Sequence, residues 1–268
     1  MKIILSHDVD HLFWSEHYFS DLFVPAFLAR NIKGALRGRL NPSLFRHRFK
    51  TFGRMHQLDY LIDFYNQENI KASFFFGMDQ ALGLSYNPEK ARPLMNQLHN
   101  LGHEVGVHGI EAKNFGKMEV ESNMFSSLTG IKAFGIRMHY LRLTGYSFDA
   151  FEKLGYLYDS SVQGLKPPFQ FGKLWEFPIS IMDASFIDNF QFNHSLKDWK
   201  AKTLTYLNEA NRLNLPYFVI NVHDVYLSNA YPTVRAWFEF MVDHLTQNKY
   251  EFITFQGALN ELNSGVQK

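Results

Sequence analysis

From about residue 52 onward, short apolar runs alternate with helical stretches. No other feature limits the fold of the chain so strongly. The β-like runs fall at 72–76, 104–107, 133–137, 157–160, 175–181, 217–222 and 251–254. Helical patterns fall between them at about 52–66, 89–100, 116–127, 147–154, 196–213 and 232–247. Strands that alternate with helices form a mostly parallel sheet with its helices packed outside. With the run that opens the chain there are seven or eight strands, a number that suits a closed α/β barrel. At 268 residues one large domain spanning 1–268 is expected. Residues 12–50 break the rhythm. This stretch carries Phe13, Trp14, Phe19, Phe23, Phe27 and Leu28, then a basic run from Arg30 to Lys50. It reads as an insertion that covers one rim, with its basic half a candidate contact for an anionic substrate or lipid headgroup.

Three of the strand-like runs stop on acidic or imidazole groups: Ser6-His7-Asp8-Val9-Asp10-His11, Gly102 to His108, and Ile220-Asn221-Val222-His223-Asp224. A parallel strand delivers the side chains at its end to one rim of the sheet, on rigid backbone. Asp8 and Asp10 are two apart, so on a strand they point the same way and Val9 points into the opposite layer. Two carboxylates so close divide their duties when a metal sits on one and a cation lies beside the other. His108 and His223 end their strands in the same manner. A metal-free imidazole at His223, near its ordinary pKa of about 6.5, would suit a general acid. His103 opens its strand and belongs at the far end.

Composition narrows the chemistry further. With no cysteine there is no disulfide, thiolate zinc site or cysteine nucleophile, so any metal must sit on His, Asp or Glu. A net charge of +1 gives no global attraction to nucleic acid. The first strand begins at residue 2, which leaves no room for a signal peptide, and no run is long enough to be a transmembrane segment. A cytoplasmic protein is therefore expected. The 27 Phe and 13 Tyr fill a core or offer faces to sugar rings; their number alone does not choose.

Taken in order, these motifs resemble the polysaccharide deacetylase family, the NodB-homology carbohydrate esterases, and the resemblance runs from residue 3 to about 260. It implies a distorted (β/α) barrel and a metal-dependent hydrolase. In that family an early strand ends in an Asp pair, one the base and one a metal ligand. Here the resemblance makes Asp8 the base and Asp10 the ligand. Gly102 to His108 is similar to the family's Gly-His-Glu-Ile-Gly strand, which makes His108 a ligand. Arg137-Met138-His139-Tyr140 resembles Arg-x-Pro-Tyr/Trp, whose Arg pairs with the base and whose last residue offers a backbone amide to the oxyanion. Tyr158-Asp159-Ser160-Ser161 and Val222-His223 resemble the two later motifs, the second carrying the general acid.

The match departs from the family at the metal. Ala112 stands where the second metal histidine is expected, Gly109 replaces a Ser or Thr, and His139 replaces a proline. Asp10 and His108 alone are a poor site for a catalytic divalent ion, which usually has three protein ligands. His139, His11, Glu111 and His7 are the available substitutes, with His139 favoured because its motif already faces the site. Asp159 or Asp224 could orient His223. Trp175, Glu176 and Asp183 are candidates to line the substrate cleft. The implied reaction removes an N-acyl group from an amino sugar, using zinc, cobalt or nickel. The implied substrate is a glycan, or a nucleotide-sugar or lipid-linked precursor, in O-antigen or capsule synthesis. Two rivals stand beside it: a barrel that binds carbohydrate without hydrolysing it, and a hydrolase of a small non-sugar amide.

Overall fold

In a computed structural model of the chain, residues 1–17, 23–36, 42–43, 46, 53–186 and 195–265 are described. Phe19 and most of the basic run beyond residue 36 lie outside them. One sheet holds nine strands: β1 (Lys2–Val9), β2 (Ser73–Gly77), β3 (Glu104–Gly109), β4 (Ile136–Met138), β5 (Tyr158–Asp159), β6 (Phe169–Phe171), β7 (Leu174–Glu176), β8 (Ile179–Met182) and β9 (Tyr217–Asn221). Their order is β6-β7-β5-β4-β3-β2-β1-β9-β8, parallel throughout except at the β6–β7 hairpin. Past β5, Gln163 bridges back to Ile179 of β8, so seven parallel strands curl into a loosely closed ring. This is the distorted (β/α) barrel that was expected, with the β6–β7 hairpin added at its edge.

Eight helices are described: α1 (Phe23–Leu36), α2 (Leu58–Glu68), α3 (Pro88–Asn100), α4 (Phe115–Thr129), α5 (Ser147–Lys153), α6 (Leu196–Arg212), α7 (Pro232–Gln247) and α8 (Phe255–Asn263). Apolar stripes of the helices meet the outer face of the sheet. Ile3, Leu5 and Val9 of β1, Phe74 and Phe76 of β2 and Val105 and Val107 of β3 join that outer core. The alternate residues face inward, and Ile4, Phe75, Tyr158, Phe177 and Val219 form a second core with Phe255 and Ala258 of α8. Helix α8 thus closes the end of the ring where the strands begin. Lys2 reaches Glu261, and Tyr217 donates to Glu261 at 2.9 Å, which ties α8 in place. Gly106 makes room for this packing: a Cβ there would lie 2.8 Å from Gly135 O and 3.1 Å from the Phe75 ring.

Several expected boundaries were wrong. The run 175–181 is two strands, β7 and β8, because Phe177 turns inward and Pro178 supplies no N–H for a ladder. Residues 251–254 form only the bridge Ile3–Phe252 before Thr254 caps α8, a helix the strand pattern had hidden. Strand β6 was not expected, since its three residues are all exposed and carry no burial pattern.

Candidate active site

The inward-facing residues of β1 change character along the strand, from Ile4 through Ser6 to Asp8, with Asp10 just beyond its end. Arg137 of β4 lies fully buried beneath the acidic end. Its Nη1 donates to Ser6 Oγ (2.9 Å), Asp8 Oδ1 (3.1 Å) and Asn221 Oδ1 (2.8 Å). Its Nε and Nη2 donate to Ser160 O and Ser160 Oγ, each at 2.8 Å. The guanidinium carbon also stands 4.4 Å from the centre of the Phe75 ring. A buried cation is tolerable only when satisfied in this way. Burial pushes the Asp8 carboxyl up, but Arg137, with His108 and His223 beside it, outweighs burial and holds Asp8 below the usual carboxylate range. Asn221 Nδ2 donates to the other Asp8 oxygen at 2.7 Å.

Asp10 meets His108 and His139 above this network. Asp10 Oδ1 is 3.2 Å from His108 Nε2 and 3.4 Å from His139 Nδ1, and the two ring nitrogens are 3.2 Å apart. Both rings are oriented from behind: His108 Nδ1 donates to Arg137 O at 2.9 Å, and His139 Nε2 donates to Leu82 O at 3.0 Å. Carbonyl oxygens only accept, so those nitrogens carry the protons and leave lone pairs on His108 Nε2 and His139 Nδ1. Two lone pairs and a carboxylate oxygen therefore converge, and Asp10 Oδ1 has no hydrogen-bond partner although buried. Such a group is balanced by a proton or by a cation. Burial opposes charge on His139, but Asp10 outweighs it and raises the imidazole; Asp10 itself is driven well below its ordinary value by the two histidines, against burial. Three donors from His and Asp suit a divalent metal with positions left open for water or substrate. Asp10, His108 and His139 could therefore hold such an ion.

The other substitute ligands point elsewhere. His7 faces the helical layer, donating to Val222 O (2.8 Å), accepting from Tyr65 (2.6 Å) and stacking on Phe74. Burial pushes its pKa down to about 3. His11 is also pushed down to about 3 by burial, and its Nδ1 lies 3.0 Å from His17 Nε2. Glu111 accepts from Lys113 N and Asn114 N, turning it back on its own loop. Glu121 pins that loop by accepting from Ile110 N and Glu111 N. Ala112 contributes no donor atom, and the imidazole of His139 arrives from the neighbouring strand.

His223 Nε2 stands 3.9 Å from Asp8 Oδ2 and 3.8 Å from Asp10 Oδ2. Its Nδ1 donates to Asp183 Oδ1 at 2.7 Å, and its backbone N–H donates to Asp183 Oδ2 at 2.8 Å. Burial disfavours the imidazolium, yet Asp183, then Asp10 and Asp8, raise its pKa to about 10. The orienting carboxylate is therefore Asp183, which is fully buried and lines no cleft. Neither Asp159 nor Asp224 has that role. Asp224 faces the outer layer and accepts from Gln57 N at 2.7 Å. Asp159 pairs with Glu176 instead, and burial with the Asp159 charge keeps Glu176 far above the usual carboxylate range.

Glu176 and Trp175 are likewise absent from the rim. Glu176 accepts from Val162 N within the protein. Trp175 packs toward the α8 end and donates to Asn263. Tyr140 is at the rim, 59% exposed as a residue, with its ring centre 4.1 Å from that of His139. Tyr140 and Leu141 are both left-handed (φ 57° and 53°), so the chain bends sharply just past His139. Tyr226 brings a second aromatic ring, 5.9 Å from His223. Sequence reasoning missed Asn221 and Ser6. Their signal was a polar residue at an inward position of a strand that is otherwise apolar.

Comparison with known proteins agrees with this architecture. No family model matches the sequence, and no curated protein matches it significantly. Among solved structures, the chain is similar to a protein from Mycobacterium smegmatis assigned to the polysaccharide deacetylases. Identity is 14%, coverage 98% of this chain and 90% of that one, and the TM-score 0.66. It is also similar to the CE4 domain of a multidomain xylanase from the hindgut metagenome of Trinervitermes trinervoides (14%, 99% and 91%, TM-score 0.50). A CE4 family pseudoenzyme from Bacillus anthracis is a third (9%, 96% and 65%, TM-score 0.51). The chain has the NodB-type fold of the polysaccharide deacetylases, at low sequence identity.

Proposed function

We propose that the chain is a metal-dependent hydrolase that removes an N-acyl group, an acetyl in the simplest case, from an amino sugar in cell-surface glycan synthesis. The observation that carries the reading is the convergence of three sets on one rim: Asp10, His108 and His139; Asp8 with Arg137; and His223 with Asp183. A barrel that only binds sugar has no use for a base, its cation and an oriented acid together. The exposed Tyr140 ring, with Tyr226 beside His223, suits the face of a sugar.

Asp10, His108 and His139 would hold the metal. When bound, a divalent ion supplies Lewis acidity toward an acyl oxygen and makes water acidic enough to lose a proton near neutral pH. Asp8, kept ionised by Arg137, takes that proton. His223, protonated at neutral pH, delivers one from Nε2 to the departing amine, while Asp183 holds its Nδ1–H. The bend at Tyr140 presents backbone to the developing oxyanion, where one well-placed donor is worth about 3–4 kcal/mol.

Metal analysis with Asp10→Ala, His108→Ala and His139→Ala tests this, together with acetate release from N-acetylated amino-sugar glycans. We expect one zinc, cobalt or nickel ion per chain, lost in all three variants along with deacetylation. A wild type that takes up no metal would leave the sugar-binding barrel in its place.

A further inference from the structure

The first helix of the insertion is apolar on two faces. Phe27 and Asn31 of α1 face the body of the protein, and Phe27 packs on Trp14 with ring centres 4.9 Å apart. The opposite face repeats Leu28, Ile32 and Leu36 at four-residue intervals, exposed to 39%, 50% and 83%. Pro25, Ala29 and Ala35 are exposed beside them, and Lys33 is the charged residue described on that face. A surface helix usually turns one apolar stripe inward and polar residues outward, whereas α1 packs Phe27 inward and turns a second apolar stripe to solvent. An exposed apolar stripe of this kind marks a contact surface.

Charge decides among possible occupants. Residues 22–58 contain eight Lys and Arg and no Asp or Glu, while the rest of the chain has 19 basic residues against 26 acidic ones. A second copy of the chain laid face to face on α1 would bring together two segments that carry no acidic residue of their own. Nucleic acid would satisfy the charge but leave the leucine stripe in water. An anionic lipid surface satisfies both, with acyl chains for the stripe and headgroups for the basic residues. We infer that α1 docks the protein peripherally on an anionic membrane through Leu28, Ile32, Lys33 and Leu36.

The helix is also placed to matter. Trp14, Phe27 and Met55 form a small core that Val225 packs against, and Val225 lies two residues past His223. Docking through α1 therefore brings the rim bearing Asp10 and His223 close to the lipid surface. On the hydrolase reading, which this consequence alone rests on, the substrate class is an amino sugar carried on a lipid.

Vesicle co-sedimentation of the full chain tests the docking without any readout of activity. The probes are vesicles of phosphatidylglycerol mixed with phosphatidylcholine, and of phosphatidylcholine alone. We expect the protein to pellet with the anionic vesicles, to remain in solution with the neutral ones, and to be released by high salt. Combining Leu28→Gln, Ile32→Gln and Leu36→Gln should weaken binding at least about tenfold with no loss of melting temperature. Lys33→Glu keeps the stripe and should weaken binding by several-fold; it carries the test if the triple variant does not fold. Wild type that ignores anionic vesicles overturns the inference, as does undiminished binding by both variants. Concentration-dependent dimers of wild type that the triple variant abolishes would assign the face to a second copy instead. Failure here with metal and deacetylation intact would leave the hydrolase reading untouched.

Discussion

The two ends of the ring are built from the same strands and differ in the chemistry they hold. At the α8 end, Ile4, Phe75, Tyr158, Phe177, Val219 and Phe255 fill the interior with rings and branched chains. Two residues further along β1 and β9, Ser6 and Asn221 replace them, and two further still stand Asp8 and His223. A strand repeats its inward face every second residue, so one short segment runs from dry core to reactive rim without changing conformation. Arg137 is the seam. It lies over the Phe75 ring and donates upward to Asp8, a charge resting on an apolar floor. The apolar end gives rigidity and the polar end uses it, so substitutions at the two ends should separate stability from chemistry.

The largest effect is expected at the polar end. On the proposed mechanism Asp8→Asn removes the base, and deacetylation should fall by about 10³–10⁴-fold with metal content unchanged. Loss of metal in this variant would make Asp8 a ligand and undo the division of duties between the two aspartates. At the closed end, Phe255→Ala leaves a cavity among fully buried rings. Denaturant unfolding should report a loss of about 3–5 kcal/mol, while metal content and turnover per folded molecule stay near wild type. If turnover drops as well, the two ends are not separable. Asp183→Asn comes next, at about a hundredfold in turnover. The acid works when protonated, and Asp183 is the largest influence raising His223 to about 10. Without that charge the imidazole loses its proton at lower pH, so the alkaline limb of the pH–rate profile should move toward neutrality. A limb that stays in place would remove His223 from the role of acid.

The same contrast explains what could be read from the sequence. The ring and six of its helices were legible because alternation and helical periodicity are local. Asp8, Asp10, His108 and His223 were legible because they end strands, and Arg137 through the motif it shares with the family. The partner of His223 was not. Asp183 lies 40 residues earlier, just past β8, and only the pairing of β8 with β9 brings the two together. Trp175 was misplaced for a related reason. Its strand was expected to run on to residue 181, whereas the break at Phe177 and Pro178 leaves Trp175 at the α8 end. His139 was one candidate among four as the third ligand. What sets it beside Asp10 and His108 is the carbonyl of Leu82 behind its ring, a contact that no spacing in the sequence reveals.

The seam itself offers the subtlest test. Asn221 is fully buried and serves both members of the Asp8–Arg137 pair, accepting from Arg137 at 2.8 Å and donating to Asp8 at 2.7 Å. Asn221→Leu would extend the apolar floor one layer upward. It removes a hydrogen bond to a charged oxygen and leaves the metal group and the His223–Asp183 pair in place. Turnover at neutral pH should fall by no more than about tenfold, roughly 1.4 kcal/mol, because Arg137 still holds Asp8 ionised. The distinguishing readout is the acid limb of the pH–rate profile. A carboxylate that loses a donor to its charged form takes up a proton more readily, so the limb should move to higher pH. A variant with slower turnover but an unmoved limb would show that Asn221 acts through packing alone. The boundary between the two ends would then lie at Arg137 rather than one layer deeper.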